Sequence, residues 1–157
     1  MSSAAHRRNQ VLLPASALFG LALILFGLCQ ASLPEILSGL YTIFTVEDVL
    51  ITDYIAVGGA GAAFVNAGLV TLVSTLILEK WDDTPNGATM VTVGLMAGFS
   101  LFGKNLVNMW PIFFGTVFYA LVKGERFTAH VNLALRGTAL APMVSFMAVR
   151  FHPWLGV

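Results

Sequence analysis

The sequence predicts an all-α, polytopic membrane helix bundle of about five spans, with broken or re-entrant helices. Three observations predict it. The 157 residues are 57% hydrophobic and only 10% charged, where soluble domains carry about a quarter charged residues. The apolar residues fall in runs approaching the roughly 20 positions that a spanning helix needs. The runs are interrupted at Gly58-Gly59-Ala60-Gly61 leading to Phe64-Val65-Asn66-Ala67-Gly68, and at Gly103-Lys104-Asn105 with Asn108-Met109-Trp110-Pro111. Backbone freed by such breaks survives in hydrocarbon only where protein or a water-filled cavity surrounds it.

Residues 1–10 read as a cytoplasmic segment whose cations, Arg7 and Arg8, flank the membrane. Residues 11–157 read as a single transmembrane domain. The first span is 11–30. Its basic flank also fits a signal peptide with a cleavage site at Cys29-Gln30-Ala31, but the run is long and further spans follow. Residues 33–55 mix Pro34, Glu35, Glu47, Asp48 and Asp53 with aliphatic side chains and lack Lys and Arg. They read as an external loop or an interfacial helix feeding a re-entrant segment. The second span, 57–78, ends in the polar turn Glu79-Lys80-Trp81-Asp82-Asp83-Thr84-Pro85-Asn86-Gly87. A short third span, 88–102, stops at Gly103. The fourth, 106–122, is closed by Lys123-Gly124-Glu125-Arg126. The fifth, 131–149, is interrupted by Arg136-Gly137 and Pro142. Short, Gly- or Pro-interrupted hydrophobic segments point to a transporter's binding region.

With the amino terminus inside, Arg7, Arg8, Lys80, Lys123 and Arg126 all fall on the cytoplasmic side, as the positive-inside rule requires. This places the chain in a cell (inner) membrane. Five spans leave the carboxyl terminus outside, and a second copy in the same polypeptide would be inserted upside down. The fold therefore reads as one half of an inverted-repeat, transporter-like architecture. No repeat occurs within these residues, so the second homologous half would lie in a missing segment or in a partner chain, with a homo-oligomer as the other arrangement.

A net charge of zero and the absence of a basic stripe exclude a nucleic-acid partner. One cysteine allows no internal disulfide. His6, His130 and His152 lack metal-ligand spacing, so no metal or cofactor is expected. No zincin, nucleophile-elbow or phosphate-loop motif is present, and the chain reads as a non-enzyme.

The residues left to carry function are polar points in apolar runs. On a helix, Lys104, Asn105 and Asn108 would share one face and could hold a small polar or anionic solute. Pro111 would free the carbonyl of residue 107 as a further acceptor. The other reading has Lys104 snorkelling to the interface and the amides acting as interhelical bonds. Gly59 and Gly61 belong either to close helix packing or to an unwound entry against a ligand. Asn66 and Thr71 are either interhelical glue or pore lining. Gly94 and Gly98 form a small-residue pair read as packing. Arg136, inside the last run, pairs with Asp53 or an anionic ligand, or lies at the surface if the span starts near Thr138.

Ile51-Thr52-Asp53-Tyr54, the glycine segment 58–68 and Gly103-Lys104-Asn105-Leu106-Val107-Asn108-Met109-Trp110-Pro111-Ile112-Phe113-Phe114-Gly115 resemble a prokaryotic membrane-protein family of unknown function whose members carry two copies of such a domain. A weaker resemblance, through Gly59, Gly61, Phe64, Asn66 and Leu69, is to bacterial urea transporters. The chain lacks that family's doubled Asn-Asn-Pro and Thr-x-x-Pro-Phe patterns. Together these imply a transporter or channel subunit in the lipid bilayer handling a small polar solute. The alternative is a non-transporting assembly subunit that packs through its glycine faces.

Overall fold

The computed structural model describes residues 3–46, 48 and 51–151, with side chains described over 11–46, 48 and 51–148. Arg7, Arg8, Glu47 and His152 lie outside the described side chains. The elements are α1 (Ser3–Leu28), α2 (Leu33–Thr45), α3 (Tyr54–Trp81), α4 (Gly87–Phe99), α5 (Trp110–Lys123), a 3-10 turn (Phe127–Ala129), α6 (Val131–Gly137), a second 3-10 turn (Thr138–Leu140) and α7 (Ala141–Phe151). The architecture is all-helical, as expected. Three stretches are long and apolar enough to cross a membrane, Val11–Leu28, Tyr54–Trp81 and Val131–Ala148. The other two expected spans are α4 and α5, of 13 and 14 residues. At 1.5 Å per residue each is about 20 Å long, short of a hydrocarbon core about 30 Å thick.

The region expected as a loop or interfacial helix contains α2. Ser32 starts it through a reciprocal cap, its backbone N–H donating to Glu35 Oε2 at 2.8 Å, and Pro34 occupies the first turn, where no donor is lost.

α1 and α2 both lie on α3 through glycines. A Cβ on Gly68 would sit 2.6 Å from the Gly20 carbonyl oxygen, and one on Gly27 would sit 2.7 Å from that of Gly61. Gly20 and Gly27 are seven apart, as are Gly61 and Gly68, so each pair lies on one helix face. The pairing order, 20 with 68 and 27 with 61, makes α1 and α3 antiparallel. Gly39 of α2 meets Gly58 in the same way, a Cβ there running into the Gly58 carbonyl oxygen. These contacts bring backbones together as small residues do in bilayers. Gly94 and Gly98, expected to pack, do not: a Cβ at either position meets nothing within 4 Å among the described residues. They lie on the outer face of α4.

α3 is broken at Gly59, where φ 84° and ψ 155° lie in a region open essentially to glycine alone. The break has a structural purpose. Tyr54 donates its backbone N–H to the Leu101 carbonyl at 3.1 Å, and the Asn66 amide donates to the Ser100 carbonyl at 2.8 Å. Tyr54 and Asn66 are twelve residues apart, about 18 Å on a straight helix, yet they grip consecutive residues.

α4 and α5 form the arms of a hairpin. Asp83, just before α4, pairs with Arg126, just after α5, at 3.8 Å, so both arms open at the α3 carboxyl end. α6 lies between the arms and packs on both. It runs alongside α4, with Thr92 bonded to Asn132 and Met96 to Thr138. It runs against α5, with Ile112 beside Gly137 and Tyr119 beside His130. The core between them is Leu78, Val93, Met96, Met109, Phe113, Val131 and Leu135. Outward-facing side chains are apolar: Leu18 and Leu25 on α1, Phe114, Phe118 and Leu121 on α5, and Met147 on α7 are about half to three-quarters exposed. Such surface suits lipid, where it would aggregate in water.

Candidate functional site

The hairpin tip, residues 100–109, concentrates the buried polar groups. α4 ends in 3-10 bonds, Leu101 N–H to the Gly98 carbonyl and Phe102 N–H to that of Phe99, and Gly103 reverses the chain with φ 88°. The carbonyls freed by this turn must find donors in an apolar interior. Asn66 of α3 supplies them, its Nδ2 donating to the carbonyls of Ser100 at 2.8 Å and Lys104 at 3.0 Å. Its Oδ1 is buried without a hydrogen-bond partner among the described residues.

Asn105 and Asn108 lock the tip reciprocally. Asn105 Oδ1 accepts from the backbone N–H of Val107 at 2.8 Å and of Asn108 at 2.9 Å, while Asn108 Oδ1 accepts from that of Asn105 at 2.9 Å. These bonds fix both amide orientations and leave each NH2 group free to donate elsewhere. Asn105 Nδ2 donates to the Ile43 carbonyl at 3.2 Å and the Tyr54 hydroxyl at 3.0 Å. Having accepted that bond, Tyr54 donates to Asp48 Oδ2 at 3.1 Å. Asn108 Nδ2 faces the Gly103 carbonyl at 2.8 Å, Asp48 Oδ2 at 3.1 Å and Ser145 Oγ at 3.0 Å. The tip thereby joins α2, the α2–α3 linker, α3 and α7.

The expected helical face of Lys104, Asn105 and Asn108 is corrected: the three lie in the turn before α5, because the Asn105 and Asn108 side chains bond the loop's own backbone. Pro111 stands in the first turn of α5 and frees no carbonyl of residue 107, which is outside any helix. Lys104 does not snorkel. It is 1% exposed, its Nζ lies 2.9 Å from Met96 Sδ and 5.8 Å from the Phe99 ring centre, and no carboxylate pairs with it among the described residues.

The remaining expectations separate. Gly61 is a packing residue on α1 and α2. Gly59 is the helix break, with open space beside it. Thr71 bonds back to the Ala67 carbonyl at 2.7 Å, within its own helix. Asp53 caps α3, accepting from the N–H of Ile55 at 2.9 Å and Ala56 at 3.2 Å. Arg136 is bound elsewhere, donating to Thr92 Oγ1 at 2.9 Å and to the Ala88 carbonyl at 2.7 Å. The expected ion pair of Arg136 with Asp53 is therefore absent, each side chain being engaged at the opposite end of the bundle.

Arg136 belongs to a second junction, at the hairpin's open end. There Asp82 Oδ2 accepts from Thr89 at 2.7 Å and Asn132 at 3.0 Å, and Asn132 Oδ1 accepts from Thr92 at 2.8 Å. Sequence reasoning missed Asp48, Tyr54, Asp82, Asn132 and Ser145. The two acids sit among loop residues that normally face water, and their burial follows from contacts far away in sequence.

Neither curated proteins nor solved structures yield a match to this chain. Residues 32–156 match a family model described as "Protein of unknown function (DUF1576)". That description names no activity, and nothing in it bears on urea transport or on a duplicated domain. The match spans α2 to the last described helix, well over half of the chain, and the protein belongs to this family.

Proposed function

We propose that the chain is a subunit of a membrane transporter or channel that passes a small polar or anionic solute by way of the hairpin tip. The observation that carries this reading is Lys104. A buried ammonium whose near contacts are one thioether and one ring is costly to hold. A solute bearing negative charge would supply the missing charge-assisted bonds. A broken α3 and a hairpin of short helices around the same point are the architecture in which transporters place their binding sites. Asn66, with both amide hydrogens on the tip, orients the loop that carries Lys104. The reading includes a cell-membrane location, a cytoplasmic amino terminus and a second copy of the domain completing the pathway, and it assigns no enzymatic step. The orientation rests on Lys80, Lys123 and Arg126 gathering at the hairpin's open end.

The assembly-subunit alternative would have to use the outer-face pair Gly94 and Gly98 of α4, uncovered among the described residues. The glycines of α3 that it needs for partners, Gly58, Gly61 and Gly68, are already covered by α1 and α2 within the chain. The test is flux in reconstituted vesicles against a panel of small anions and neutral polar solutes, comparing the wild type with Lys104→Met. Loss of flux for one solute class with unchanged folding supports the reading. Equal flux in both proteins, well above empty vesicles, removes Lys104 from the path. External labelling of Trp81→Cys would overturn the orientation.

A further inference from the structure

The Asp48 carboxylate is fully buried at the point where four parts of the molecule meet, and among the described residues no cation pairs with it. Tyr54 reaches it from α3 and Asn108 from the tip. Ser145 of α7 and Thr52 of the linker also bond it. From α2 the nearest participant is the Ile43 carbonyl, which takes its bond from Asn105. The only titratable group facing Asp48 among the described residues is thus the Tyr54 hydroxyl. Lys104, on the same tip, turns the other way toward Met96.

We propose that Asp48 is a proton-binding site whose occupancy holds the hairpin tip closed against the α2–α3 linker and α7. A proton is the ligand that the geometry favours. The Tyr54 hydroxyl and the Asn108 amide donate to Oδ2, whereas Oδ1 is buried with no hydrogen-bond partner among the described residues and is where the proton would sit. The donors around Oδ2 would repel a metal cation, which needs acceptors. The direction follows from linkage. Burial pushes the Asp48 carboxyl above its ordinary value, and the four hydrogen bonds pull it only partly back. When the tip separates, water reaches the carboxyl and its affinity for a proton returns toward the ordinary carboxylate value. The closed form therefore binds the proton more tightly than the open one. Closure is favoured at low pH and weakens as pH rises through the closed-form value, each unit of difference changing the closed-to-open ratio tenfold. This inference goes beyond the transport reading and needs no solute to cross.

The test is hydrogen exchange of the 103–109 segment, followed by mass spectrometry on the full chain in detergent at pH 5 and pH 8, with rates corrected for intrinsic exchange. In the wild type, protection should fall several-fold or more between the two pH values. Asp48→Asn, a neutral isostere, should keep the segment protected at both and abolish the pH response. Melting temperature provides a second measurement: Asp48→Asn should match or exceed the wild type at pH 8. Equal wild-type protection at both pH values would overturn the proposal. So would a pH response that survives in Asp48→Asn, or a variant less protected and less stable than the wild type at pH 8. Lost flux in Lys104→Met bears on the transport reading alone, so the two can fail separately.

Discussion

The seam between α1 and α3 and the tip of the α4–α5 hairpin solve one problem in opposite ways. Both must join helices in an interior without water. At Gly20, Gly27, Gly61 and Gly68 the chain removes side chains until backbones touch, so the contact is dispersion spread over length. At Asn66, Asn105 and Asn108 it adds side chains that satisfy backbone the turn has freed and tie it to neighbouring elements. The seam should therefore be intolerant of added volume and indifferent to polarity. The tip should be sensitive to a lost donor and tolerant of modest changes in shape.

The largest effect is expected from Gly68→Leu. Even a Cβ there lies 2.5 Å from Ile24 Cγ1 and 2.6 Å from the Gly20 carbonyl, so α1 must move, at a cost of about 3 kcal/mol or more. Thermal unfolding in detergent should show a greatly lowered midpoint, and a near-wild-type melt would mean the seam is looser than described. Next comes Asn108→Leu, which keeps the branched shape but strips donors from the Gly103 carbonyl and from Asp48. An unsatisfied buried group costs about 1–3 kcal/mol, and the loss should appear as selective deprotection around residues 103–109 with the seam still slow to exchange. Gly59→Ala adds a methyl into open space but requires a backbone conformation that alanine avoids, at about 1–3 kcal/mol. An unchanged melt would show that α3 can straighten without harm. The smallest effect is expected at Gly94→Ala, on the outer face of α4. With nothing near its Cβ, helix propensity should stabilise by about 0.5–1 kcal/mol, and a marked loss would reveal a partner packed on that face.

The same contrast explains what could be read before the structure. The second span was legible almost to its ends, 57–78 against Tyr54–Trp81, because a long apolar run between a polar linker and a charged turn leaves little choice. The hairpin was half legible. Its arms were marked by runs of 15 and 17 residues, too short to cross comfortably, and its tip by Gly103 and the amides. Helical spacing was applied through Asn105 and Asn108, however, when their own side chains supply the turn that prevents a helix. The glycine seam was visible on α3 alone, since its partners on α1 lie some forty residues away and only antiparallel pairing aligns them. Asp48 and Asp82 were not legible as buried groups, because no local pattern marks an acid that distant amides will enclose.

The break at Gly59 also divides α3 mechanically. Beyond it, Gly61 and Gly68 fix the long segment to α1 like a post. Before it, the first turn is bound to the tip by the Tyr54–Leu101 bond and by the backbone bridge between Asp53 and Phe102, and to α2 by the contact of Gly58 with Gly39. A displacement of the tip would therefore pull on α3 from both sides of the break, through Tyr54 before it and Asn66 beyond it. The two segments of α3 meet at one residue that has no side chain to resist a rotation between them.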